Sequence, residues 1–240
     1  MKKFQLKHIG YQLFKKAHYI WALKTLKVLE KEYPDLESRF IIPFDYKGKG
    51  FFKSIKPMQS KKEISDLYKI VAKQKPHGVL EIGTCHGGTL YLWAQAAAID
   101  AVIISIDLPY GEFGGGYYPC RIPFYQSFAL PKQKIHLLQT DTHETKLPQD
   151  LSNLLNGEML DFLFIDGDHS YQGVKQDFDL YSGLVKPGGL IAMHDILPRE
   201  DVPSIEVYRF WREINTRFQT TELISNEPGD RKIGIGLIEW

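Results

Sequence analysis

The sequence predicts an α/β fold: a doubly wound, mostly parallel sheet of seven strands behind an N-terminal helical cap. Three observations predict it. Four short apolar runs each stop at an acid, at Glu81, Asp107, Asp166 and Asp195. Helical stretches separate the runs, and continuous apolar runs of this length read as parallel strands buried on both faces. The first run leads into a glycine-rich turn, Glu81-Ile82-Gly83-Thr84-Cys85-His86-Gly87-Gly88. In such sheets the ligand crevice lies at the carboxyl ends of the strands, so the acids collect at one rim.

From about Tyr11 to Glu32, Leu13, Phe14, Ala17, Ile20, Trp21, Leu26 and Leu29 recur among lysines near the helical period, and Tyr33-Pro34-Asp35 stops the helix. A loop from Tyr46 to Lys53 precedes a second helix, about Ser60 to Lys73, with Ser60 and Glu63 at capping-box spacing. His77-Gly78 breaks into the first strand. Strands then fall near 79–83, 102–107, 135–140, 161–166 and 189–194, with helices near 88–98 and 171–184. A helix near 204–217 follows, and Thr220 to Ser225 pairs with Lys232 to Glu239 around Pro228-Gly229-Asp230 as an edge hairpin. Alternation of this kind gives right-handed crossovers, hence a Rossmann-like architecture. Residues 1–60 read as the cap and 61–240 as the main domain. The one irregular stretch, Leu108 to Pro123, carries Gly111, Phe113, Gly114, Gly115, Gly116, Tyr117, Tyr118 and Arg121 directly after an acid. A long loop in that place suits an acceptor-binding lid, and equally aromatics buried against the cap or a second subunit.

Length and composition suit one globular domain. Cys85 and Cys120 form no metal or redox spacing, which fits a reducing, cytoplasmic setting. No apolar run has the length of a signal peptide or a membrane span. The net charge of +1 hides an asymmetry: residues 1–75 hold 18 Lys/Arg against 7 Asp/Glu, and the remainder 12 against 22. The basic third reads either as a solvated helical face or as a contact for an anionic surface or substrate.

Gly83 lets the chain turn out of its strand, and the following helix presents free N–H groups. The turn lacks G-x-G-x-x-G, because Cys85 holds the second glycine position, and it lacks the Gly-Lys-Ser/Thr of a phosphate loop. Asp107, about twenty residues on, can accept both hydroxyls of a ribose. Asp141, in Leu137-Leu138-Gln139-Thr140-Asp141-Thr142, can accept an adenine amine. Together these acids make a nucleoside site more coherent than three separate caps.

These segments, with Phe162-Leu163-Phe164-Ile165-Asp166-Gly167-Asp168-His169-Ser170-Tyr171, Pro187-Gly188-Gly189 and His194-Asp195, resemble the class I S-adenosylmethionine (SAM)-dependent methyltransferases. Within that class the likeness is to the cephalosporin-hydroxylase-like and macrolide-sugar or rhamnosyl O-methyltransferase group, related to the catechol O-methyltransferase type. It covers about residues 57–239. The resemblance implies a SAM-dependent O-methyltransferase acting on a small or glycosylated acceptor. It places Glu81 and Gly83 near the methionine end, Asp107 on the ribose, Asp141 and Thr142 near adenine, and Gln59 where such enzymes close the site. It also implies a divalent cation, magnesium or another such as manganese or calcium that suits oxygen ligands, at Asp166 and Asp195 with His194 beside them, and a general base at His169. His194 departs from the catechol type, where a carboxylate or amide often stands.

A noncatalytic SAM-binding accessory subunit and a nicotinamide-dependent oxidoreductase are the rivals. The Asp166, His169 and Asp195 set opposes the first, and the missing second glycine opposes the second. Methylation of nucleic-acid bases lacks its Asn/Asp-Pro-Pro-Tyr/Phe signature, so no nucleic-acid partner is expected. Aromatics in the cap and loop make self-association a further expectation.

Overall fold

The computed structural model describes residues 2–111, 113 and 115–240, with residues 2–13 described by their backbone alone. Gly114 of the expected lid and the Leu13 side chain lie outside the described residues. Seven strands form one sheet: β1 (Gly78–Ile82), β2 (Val102–Asp107), β3 (Lys134–Gln139), β4 (Leu160–Ile165), β5 (Val185–His194), β6 (Gln219–Leu223) and β7 (Ile235–Glu239). Their order is β3-β2-β1-β4-β5-β7-β6. The first five pair in parallel, and β7 runs antiparallel between β5 and β6. The order reverses between β1 and β4, which puts the topological switch point, and with it the crevice, at the carboxyl ends of these two strands.

Side chains alternate across the sheet, as strand geometry requires. Val79, Ile103, Phe162, Phe164, Leu190 and Ala192 join one core cluster, and Leu80, Ile104, Leu163, Ile165, Ile191 and Met193 join the other. Over the first face lie α4 (Lys61–Gln74), α5 (Gly88–Ala96) and α6 (Ile122–Gln126); over the second, α7 (Leu147–Leu154), α8 (Tyr171–Tyr181) and α9 (Val207–Ile214). Trp93 of α5 packs edge-on against Phe162 and Phe164, with ring centroids 4.9 and 5.3 Å away. Burying each phenylalanine contributes roughly 1.5–3 kcal/mol.

The first helix, α1 (Lys2–Glu32), begins well before Tyr11, where the sequence reading starts it. Gly10 disfavours a helix by about 1 kcal/mol but supplies no cap, so it does not end one. Behind α1 follow α2 (Leu36–Arg39), α3 (Ile42–Asp45) and a 3₁₀ turn at Gly50–Phe52. Ala22, Leu26, Ile42, Tyr46, Phe52 and Ile55 enter the same cluster as α5 and the sheet, so residues 14–60 share the core rather than hold one of their own. No described helix is long and apolar enough to cross a membrane.

Candidate active site

The turn after β1 is held by buried polar groups that the strand register brings together. Glu81 and Ser105 are direct partners across β1 and β2, so both point to the face covered by α5. Ser105 Oγ donates to Glu81 Oε2 at 2.5 Å and lies 2.6 Å from Thr84 Oγ1. Burial pushes the Glu81 carboxyl up to about 8, against the opposing bonds from Ser105 and Thr89. Glu81 is fully buried and lines neither cavity of the rim. It stands behind the wall and fixes the turn.

Gly83 has φ +98°, and a Cβ there would overlap the carbonyl oxygen of Asp166. A Cβ at Gly88 would overlap the carbonyl of Ile55. Both glycines therefore admit the protein's own backbone, a constraint that a ligand-based reading of the turn does not need. The Gly83 N–H donates to the Ile106 carbonyl at 2.8 Å and the Asp166 N–H to the Ile82 carbonyl at 2.9 Å. The first bond ties the turn after β1 to the end of β2, and the second sets the turns after β1 and β4 side by side at the switch point.

Asp107 ends β2 with both carboxylate oxygens engaged: Oδ2 accepts the Cys85 N–H at 2.5 Å and Oδ1 the Gly116 N–H at 2.7 Å. Burial pushes its carboxyl up from the usual range, opposed by these N–H bonds. The Cys85 backbone has φ +43°, a conformation that costs a non-glycine residue about 1 kcal/mol or more. A cavity of about 220 Å³ lies beside this turn, lined by Gly83, Asp107, Asp141, Thr142, His143 and Asp168 among others. His143, which the sequence reading left unassigned, faces the wholly buried Asp177 of α8 at 3.4 Å. That contact raises its imidazole to about 9.

The acids after β4 and β5 meet two histidines. His169 Nδ1 lies 2.8 Å from Asp195 Oδ2, leaving Nε2 as the free ring nitrogen of a carboxylate–imidazole pair. Asp195 reaches it from a left-handed backbone, φ +62°. Burial lowers the His169 imidazole, but the bond to Asp195 and the charge of Asp166 outweigh it and leave it raised. Gln59 Nε2 donates to Asp166 Oδ2 at 2.6 Å, so the residue before α4 does reach the rim.

His194 lines the chamber of these groups, its Nδ1 3.5 Å from Asp195 Oδ2, and also reaches beyond it. Strand alternation points it at α4, where Nε2 faces Glu63 Oε1 at 3.4 Å while Nδ1 faces Asp166 Oδ1 at 3.0 Å. Burial opposes its charge, yet Asp166, Asp195 and Glu63 raise its imidazole well above the ordinary value. Among the described residues, the atoms close enough together to share a cation belong to Asp166, His169 and Asp195, all within 4.8 Å of one another. Their oxygen and nitrogen donors suit a divalent cation, and Asp195 Oδ1 is buried with no hydrogen-bond partner.

A second cavity, about 380 Å³, contains this cluster and shares Gly83, Asp107, Phe113, Gly115 and Gly167 with the first. Phe113 packs edge-on against His169 at 5.2 Å between centroids. The walls also include Arg199, Ile205, Arg231 and Ile233, all outside the expected lid of Leu108 to Pro123. Glu63 was read only as a cap. The structure shows that role, with Oε1 accepting the Ser60 N–H at 2.5 Å, and adds its contact with His194.

Residues 80–196 match a family model described as a methyltransferase domain. An uncharacterized protein of Sinorhizobium fredii is 26% identical over 60% of this chain, and one of Acanthamoeba polyphaga mimivirus is 32% identical over 48%. The matched stretches span 16% and 50% of those proteins' own lengths. Among solved structures, the O-methyltransferase of Bacillus cereus in complex with SAH superposes with a TM-score of 0.59 at 17% identity, covering 92% of this chain and 99% of that one. At such identity the likeness is one of fold.

Proposed function

We propose, from the match of residues 80–196 to a methyltransferase-domain model, that the protein is a SAM-dependent O-methyltransferase acting on a hydroxyl of a small or glycosylated acceptor. The observation that carries the proposal is the junction of the two cavities. A ligand resting on Gly83, Asp107, Asp141 and Thr142 presents its far end to the chamber of His169, across the shared wall of Gly83 and Gly167. Asp107 would hold the ribose through the oxygen lone pairs that Cys85 and Gly116 leave free, with Asp141 and Thr142 at adenine. Glu81 would act through Ser105 and Thr84, and Gln59 through Asp166, both as positioning residues.

SAM, when bound, supplies a methyl group activated by a sulfonium. His169 would take the acceptor hydroxyl proton at Nε2, with Asp195 holding the ring by Nδ1, and so would leave the oxygen placed to displace S-adenosylhomocysteine from the methyl carbon in line. Asp166 and Asp195 would hold a divalent cation, with His194 beside them and His169 kept as the base. That cation, magnesium by its carboxylate oxygens, would lower the acceptor hydroxyl's pKa. A noncatalytic SAM-binding accessory subunit is the alternative, and the oriented Asp195–His169 pair weighs against it.

Calorimetry with S-adenosylhomocysteine tests the cofactor half. Asp107→Ala should weaken binding at least about tenfold, as loss of a charge-assisted contact does; equal affinity removes the assignment. A methyl-transfer assay with chelator and added magnesium tests the metal half, which indifference to both would discard.

A further inference from the structure

We infer that the groove around Arg121 is an acceptor subsite for a compact anionic group, a carboxylate or a phosphate, so that the methyl acceptor is an acid. The inference rests on the methyltransferase reading and names the substrate class within it. The groove, about 370 Å³, is walled by His86, Tyr110, Tyr117, Tyr118, Arg121 and Gln139. It shares His86 and Gly115 with the chamber of His169, so one ligand can span both.

Arg121 is only 7% exposed. Its Nη2 donates to the carbonyls of Ser54 and His86 at 2.6 and 3.3 Å, and its Nε is buried with no partner. Among the described residues no carboxylate forms an ion pair with it. A guanidinium keeps its charge at any ordinary pH, and carbonyl dipoles do not replace a counter-ion. The Tyr125 ring, 5.0 Å from Cζ, covers one face. A buried charge in this condition is costly unless something pairs with it, and the groove leaves room for an anion to do so. A carboxylate or phosphate in the groove would supply the missing counter-ion.

Two further features agree. Ser54 belongs to the stretch 46–62, which holds six lysines and no acid, so the segment bonded to Arg121 brings positive charge and no counter-ion. Tyr118 stands 58% exposed at the wall, edge-on to Phe51 at 5.0 Å, a surface for the ring that would carry the acid.

The test is calorimetry on protein saturated with S-adenosylhomocysteine, using 3,4-dihydroxybenzoate, 3,4-dihydroxyphenyl phosphate and 3,4-dihydroxybenzyl alcohol as probes. At least one anion should bind about tenfold or more tighter than the alcohol, and whichever does so distinguishes carboxylate from phosphate. Arg121→Gln should bring the probes within about twofold of one another, and Arg121→Lys should keep part of the preference. Should Arg121→Gln fail to fold, the wild-type comparison and the lysine variant still decide. Equal binding of the three probes to wild type, no binding of any, or a preference that survives Arg121→Gln overturns the inference. S-adenosylhomocysteine affinity separates the failures: if it is normal, the acid subsite alone is wrong, and if it is absent, the methyltransferase reading falls too.

Discussion

Glu81 gives a prediction whose magnitude follows from its position. It sits on β1 opposite Ser105, closed in by α5, and its carboxyl is pushed from 4.5 up to about 8 by burial. Between those values the folded chain holds a proton that the unfolded chain has released. This contribution to stability is complete below the unfolded value and is lost as pH rises through the folded one. One proton gives a slope of at most about 1.4 kcal/mol per pH unit. Integrated over these two values, the loss is about 2 kcal/mol between about pH 6 and about pH 8. Glu81→Gln keeps the size and an oxygen to accept from Ser105 but cannot ionise. Urea denaturation of both proteins across that range should show wild type losing about 2 kcal/mol relative to the variant. His143, raised to about 9, has the same sign, but both proteins carry it and it cancels in the comparison. A difference constant to within about 0.5 kcal/mol would refute a buried, proton-holding Glu81.

Gly83→Ala should destabilise by at least about 2 kcal/mol, because a side chain at φ +98° meets the Asp166 carbonyl; denaturant midpoints check this, and an unchanged midpoint denies the tight turn. The ring protons of His143 should titrate near 9 by NMR and move back toward 6.5 in Asp177→Asn, since the contact with Asp177 is the main cause of the shift. Stability from this pair is complete below about 6.5 and lost as pH rises through about 9. A midpoint that ignores Asp177→Asn would mean that the two groups do not interact.

The strands were legible because continuous apolar runs bounded by helices admit few arrangements, and the acids at their ends had to share one rim. Seven strands and the edge hairpin stand in the structure as the spacing implies. Register was not legible. Glu81 and His194 each lie on the α4 and α5 face, and only the pairing of β1 with β2, and the packing of β5 beneath α4, shows that one faces Ser105 and the other Glu63. Glu81 lies among buried polar side chains of the protein itself, whereas His194 lines the chamber and adds Glu63 to its contacts with Asp166 and Asp195. The cavity walls at Arg199 and Arg231 were equally hidden, since they come from segments that reach the rim only after the sheet has closed. Glu63 was visible by its capping-box spacing, a local signal; its contact with His194 depends on strand order.

A crystal structure of the protein with S-adenosylhomocysteine tests the central claim most directly. The account predicts density with adenine against Asp141 and Thr142, ribose on Asp107, and sulfur turned across Gly83 toward His169. Density in any other cavity, or a cofactor whose sulfur faces away from the Asp195–His169 pair, would contradict it.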